Sequence, residues 1–120
     1  MSVRHVLFIM TNTHEIGPHK RKTGFFFPEV AHPFEVFDRA GIALEYVSPL
    51  GGKPSEDGYD EKDPAQRAFR DSMSLRRMAH SRKLSEVDVL DYDAIFVPGG
   101  LGPMVDIAKD ADVKQAVIRA

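Results

Sequence analysis

Three short apolar runs, at residues 3–10 (VRHVLFIM), 42–47 (IALEYV) and 92–98 (YDAIFVP), constrain this chain more than any other feature of it. The first is nearly continuous and carries β-branched and aromatic residues. A run of that kind suits a strand buried on both faces of a parallel sheet. Between the first two runs lies PEVAHPFEVFDRAG at 28–41, where Val30, Phe34 and Phe37 recur at helical spacing. Pro28 suits a first helical turn, because its missing N–H would go unpaired there anyway. Glu29 is favoured beside it by the helix dipole, and Gly41 is a good stop. Pro33 predicts a kink or a delayed start.

Residues 48–54 (SPLGGKP) read as a turn-rich loop, and 56–63 as an acidic surface segment. Residues 64–84 predict one helix, with Ala68, Leu75, Met78 and Ala79 as its apolar stripe. Ser85 and Asp88 suit the caps of a short turn. Two further helices are expected at 103–108 and 113–120. The polar stretch 11–24 reads as a loop. Strands alternating with helices imply an α/β fold, with helices on both faces of a parallel sheet and right-handed crossovers.

The chain has 120 residues, enough for one small domain, and a formal net charge of −2. That charge supplies no field for nucleic acid or an anionic membrane. No apolar run approaches the roughly 20 residues of a membrane span, and residues 6–10 are too short for a signal core. A cytoplasmic protein is expected. Cysteine is absent, which excludes disulfides, thiolate metal sites and a cysteine nucleophile within these residues. The periodic segment 113–120 has no C-terminal stop, and three strands alone would leave long open edges. The expectation is therefore a chain cut within its domain, whether truncated, split or cleaved.

In open α/β sheets ligands bind beyond the carboxyl ends of the strands. Two places qualify. Gly99, Gly100 and Gly102, between Pro98 and Pro103, let the backbone approach a ligand closely, and a helix starting there aims N–H groups at the same space. The turn is neither a P-loop nor a G-x-G-x-x-G fingerprint, and a plain strand-to-helix turn is the alternative reading. Glu29 is the second candidate, as an acid or base or simply as a dipole-favoured residue. His14, Glu15, His19 and His32 match no established zinc spacing, so no metal is expected. The basic residues at 20–22 and the arginines from Arg67 to Arg82 lack interleaved aromatics and read as solvated faces.

At this point the residues resemble a known family. KTGFFFPEVAHPF (22–34) is similar to the region of the ThiJ/PfpI superfamily that carries its acidic catalytic residue. AGIALEYVSPLGGKP (40–54) resembles that family's second strand and following loop. LDYDAIFVPGGLGPMVDI (90–107) resembles its third strand and oxyanion turn. The nearest branch is the one holding glyoxalase III enzymes and heat-shock holding chaperones.

The resemblance implies a flavodoxin-like parallel sheet sandwiched by helices, incomplete in this chain, with residues 1–120 as the N-terminal portion of a single glutamine-amidotransferase-like domain. It implies a homodimer, a small carbonyl substrate, no dissociable cofactor, and a nucleophilic cysteine on an elbow after residue 120, in the remainder of the domain. Glu29 matches the acidic residue beside the cysteine sulfur. The backbone N–H groups of Gly100 and Leu101 match the oxyanion hole, with Gly99 and Gly102 supporting the turn. The implied activity is a glyoxalase III-like lyase or hydrolase reaction, methylglyoxal to lactate. Leu101 stands where the glyoxalase branch often has histidine, so hydratase, amidase and other hydrolase chemistries stay open. A holding chaperone is the other reading, prompted by Phe25, Phe26 and Phe27 in succession beside the long segment 56–84; packing of all three rings under the loop or at a dimer interface is its counter-reading.

Overall fold

A computed structural model describes residues 4–100 and 102–119. In chain order the elements are β1 (His5–Ile9), β2 (Glu15–Ile16), β3 (Arg21–Lys22), β4 (Phe25–Phe26), α1 (Pro28–Arg39), β5 (Ala43–Ser48), β6 (Glu56–Asp57), α2 (Pro64–Arg70), α3 (Met73–Ala79), β7 (Arg82–Lys83), β8 (Ala94–Phe96), α4 (Gly102–Val105) and α5 (Ala111–Arg119). The main sheet is parallel, in the order β7-β5-β1-β8. Its centre is β1, which runs beside β5 from His5↔Ala43 to Ile9↔Val47 and beside β8 from Val6↔Ala94 to Phe8↔Phe96.

Successive side chains of β1 feed opposite faces, as the pleat requires. Val6, Phe8 and Met10 join Leu44 and Tyr46 of β5, Val30 and Ala31 of α1, and Phe25, Phe27, Phe69 and Met78 in one buried cluster. Leu7 and Ile9 join Val47, Leu84, Val89, Ile107, Val113 and Ala116 in another. The first run is apolar without alternation because both faces of its strand are covered. The result is the three-layer α/β arrangement expected for a flavodoxin-like sheet.

Helix α1 runs through Pro33 without a break. A proline there removes only the N–H that would bond the Glu29 carbonyl, one turn from the helix start. The helix ends on Gly41 at φ 73°. The Gly41 N–H donates to the Asp38 carbonyl at 3.1 Å and the Ile42 N–H to the Phe37 carbonyl at 2.9 Å, which is the Schellman closure.

Residues 64–84 are not one helix. Ser72 caps a second helix by accepting the Leu75 N–H at 3.2 Å, and the chain then turns into the edge strand β7. Phe69 and Met78 are the buried anchors, whereas Ala68 of the expected stripe is exposed. Arg70 fastens this segment: its guanidinium pairs with Glu56 and lies 4.7 Å from the Phe27 ring centre and 4.0 Å from that of Tyr59. The stretch 11–24 also differs from a plain loop, since β2 and β3 form an antiparallel hairpin within it. Of the three successive phenylalanines, Phe25 and Phe27 are buried and Phe26 is 42% exposed. Strand alternation thus leaves one ring outside, neither all three packed nor all three available. Among the described residues no helix is long and apolar enough to cross a membrane.

Candidate functional site

Beyond the carboxyl end of β8 the chain passes through buried Pro98 into Gly99 and Gly100, and Gly102 opens α4. The turn lies against the backbone of 24–26. The Phe26 N–H donates to the Gly99 carbonyl at 2.9 Å, while the N–H groups of Phe25 and Phe27 donate the other way, to Ser55 at 3.0 Å and Asp57 at 2.8 Å. Gly100 has φ 128°, and a methyl group on it would stand 2.9 Å from both the Gly24 carbonyl oxygen and the Phe26 nitrogen. A methyl on Gly102 would meet the same carbonyl oxygen at 2.9 Å and Thr11 Cγ2 at 3.0 Å. Gly24 in turn presses on the Ser55 backbone. Main chain is layered on main chain here, which only glycine permits. Among the described residues no acceptor takes the Gly100 N–H. Leu101, the other expected oxyanion-hole residue, lies outside the described residues.

Glu29 reaches this turn from the first turn of α1. A methyl on Gly99 would collide with its Oε2 and stand 3.1 Å from its Cδ. The carboxyl therefore occupies the space that a side chain at 99 would take. Glu29 is exposed, and among the described residues it has no hydrogen-bond or ion-pair partner. It faces a depression of about 510 Å³ lined by Pro28, Glu29, His32, Pro33, Phe96, Val97 and Gly99. The structure thus brings together Glu29, Gly99 and Gly100, with Gly102 behind them. A carboxyl at that position can accept or return a proton.

Of two further neighbours, sequence reasoning weighed His32 only as a metal ligand and missed Asp63. His32 lines the same depression, and its Nε2 lies 2.6 Å from Asp63 Oδ2. Hydrogen bonds, first from His32 and then from Gln66, hold the Asp63 carboxyl below the ordinary carboxylate range. The signal for His32 was its spacing of three from Glu29; nothing in the sequence announced Asp63 as its partner.

A second crevice of about 460 Å³ opens beyond β1 and β5, lined by Asn12, Thr13, His14, Glu15, Pro49, Leu50, Asp106 and Asp110. Asp106 accepts the Thr11 hydroxyl at 2.6 Å, the Asn12 N–H at 2.6 Å and the Ile107 N–H at 2.7 Å. Asn12 accepts the Leu50 N–H at 2.6 Å and donates to the Gly51 carbonyl at 3.1 Å. Among the described residues no group of three side chains is placed to hold a metal ion.

Known proteins share this chain's sequence and its α/β fold. The glutathione-independent glyoxalase hsp3102 of Schizosaccharomyces pombe is 31% identical over 108 residues, covering 85% of this chain and 45% of that protein. The glutathione-independent glyoxalase HSP31 of Saccharomyces cerevisiae is 28% identical over 124 residues, covering 95% of this chain and 51% of that protein. Among solved structures, the rapid encystment protein of 24 kDa from Francisella tularensis superposes with a TM-score of 0.87 at 28% identity, over 97% of this chain and 53% of that one. Glyoxalase III from Candida albicans superposes with a TM-score of 0.74 at 26% identity, over 95% and 51%. No protein-family model matches the chain. The chain resembles the ThiJ/PfpI superfamily, and relatives it matches are named as glutathione-independent glyoxalases and glyoxalase III. It spans about half the length of the curated relatives it matches.

Proposed function

We propose that these residues form the carboxyl-and-amide half of a cysteine-dependent glyoxalase III-type site, converting small 2-oxoaldehydes to 2-hydroxyacids, methylglyoxal to lactate. The thiolate comes from polypeptide beyond residue 120, in a cytoplasmic homodimer. The observation that carries this reading is the Glu29 carboxyl lying against Gly99, beside a Gly100 amide with no acceptor among the described residues.

The chemistry balances as an internal redox step followed by hydrolysis. The thiolate sulfur bonds to the aldehyde carbon, giving a hemithioacetal whose oxygen is held by the Gly100 and Leu101 amides. Glu29 removes the hydrogen of that carbon as a proton. The electron pair forms the enediolate, and the proton is returned to the neighbouring carbon. The first carbon is oxidised to a thioester and the second reduced to an alcohol. Water then cleaves the thioester, its hydroxyl going to the acyl carbon and its proton to the alkoxide left by the ketone oxygen, which releases the hydroxyacid and regenerates the thiolate. No external oxidant or reductant enters.

The test is lactate formation from methylglyoxal by the full-length protein and its Glu29→Gln variant. A loss of at least about 100-fold in kcat is expected for the variant. Equal rates for the two would remove Glu29 from the reaction and the reading with it.

A further inference from the structure

We propose that His32, held by Asp63, is a substrate-binding residue of the Glu29 depression, offering its second ring nitrogen to an oxygen of the carbonyl compound; this rests on the function proposed above and deepens it. His32 follows Glu29 by three residues on α1, so the two side chains rise from one face of the helix. Both line the same depression with Phe96, Val97 and Gly99.

Asp63 is no loose surface carboxylate. It caps α2 by accepting the Ala65 N–H at 3.0 Å, and on the oxygen that meets His32 it also accepts Gln66 Nε2 at 3.0 Å. An ionised carboxylate only accepts hydrogen bonds, so His32 Nε2 carries a hydrogen. Among the described residues the other nitrogen, Nδ1, has no partner: it is an acceptor in the neutral ring and a donor in the imidazolium.

A 2-oxoaldehyde brings two oxygens to the site. The Gly100 amide, with no acceptor among the described residues, is available to one of them. For the other, the ionisable side chains of the depression are Glu29 and His32. An ionised Glu29 cannot donate, so among the described lining residues an imidazolium His32 is the side chain able to donate from Nδ1 to the ketone oxygen and to the alkoxide it becomes. Asp63 acts through His32 as a positioning residue.

Steady-state kinetics of the full-length protein with methylglyoxal decide the matter, using Glu29→Gln, His32→Ala, Asp63→Asn and the double variant of the last two. Asparagine keeps the helix cap, so Asp63→Asn alters the ring's partner and leaves α2 folded. His32→Ala is expected to raise KM about tenfold with a smaller change in kcat. Asp63→Asn should raise KM by less, and should add nothing once His32 is gone. If His32→Ala and Asp63→Asn lower Tm but leave KM and kcat alone, the pair merely ties α1 to α2 and the proposal falls, while an inactive Glu29→Gln in the same assay keeps the parent reading. If Glu29→Gln equals the wild type, the parent reading fails; the imidazole nitrogen resonances of His32 during titration with lactate then decide, a shift keeping His32 as a ligand-binding residue and no shift removing it.

Discussion

Two crevices open at the same end of the parallel sheet, and they use their polar groups in opposite ways. Beyond β1 and β5, Asp106 and Asn12 are engaged: apart from the bond of Asp106 to its neighbour Ile107, each bond they make joins one loop to another. Beyond β8, Glu29 makes no bond among the described residues and stands over a glycine turn. The first arrangement stabilises the fold, because removing Asp106 would strand the buried Thr11 hydroxyl and two main-chain N–H groups. The second contributes little to stability and leaves its polar groups for a ligand. Uncommitted groups that rigid surroundings hold in place are what a reacting site needs.

That contrast can be broken in four places. The largest effect is expected from Glu29→Gln, which should lower turnover by about 10²–10⁴-fold while moving the urea midpoint by no more than ~0.5 kcal/mol of stability. A large stability loss would make Glu29 structural after all. Next, Asp106→Ala should cost about 2–4 kcal/mol in urea unfolding, since three donors lose their acceptor together. A surviving wild-type midpoint would show that water satisfies them. Third, Gly99→Ala should cost under ~1 kcal/mol yet reduce turnover about tenfold. The atom in its way is the end of a flexible side chain, which moves easily but must take the carboxyl with it. Lost folding without a change in the remaining activity would count against this.

The smallest effect concerns acid. Asp93 accepts the N–H groups of Arg4 at 2.8 Å and His5 at 2.9 Å, and these bonds depress its carboxyl below the ordinary 3.8. A folded-state value below the unfolded one contributes stability that is present above the unfolded value and disappears as pH falls through the folded value. Asp93→Asn should therefore flatten the acid limb of the stability curve at the start of β1 below about pH 4, read by amide exchange. An unchanged limb would assign it to other carboxylates, Asp63 among them.

The sheet was legible because its signal is one of burial. Residues 6–10 are apolar on both faces, and the structure covers both faces. The three-residue spacing from Glu29 to His32 and the glycine turn were legible for the same local reason. The two-residue strands were not. Arg21–Lys22, Glu56–Asp57 and Arg82–Lys83 are polar and exposed, and they are strands only because a neighbouring backbone offers them hydrogen bonds. The break in 64–84 has its signal in Ser72, a good N-cap ahead of Leu75, which the apolar spacing of Leu75, Met78 and Ala79 overlies. Asp106 and Asp63 carry no pattern of their own, since their partners lie 95 and 31 residues away.

The layering of Gly24 against the turn has a last consequence. Where backbone rests directly on backbone, no rotamer stands between the layers to absorb a change, so the height of the turn relative to α1 is fixed by peptide thickness alone. An engineer wishing to widen or narrow the cavity gains nothing by varying the turn itself. The adjustable wall is the helix, through whatever replaces Pro33 or His32, and the turn acts as the gauge against which those replacements are measured.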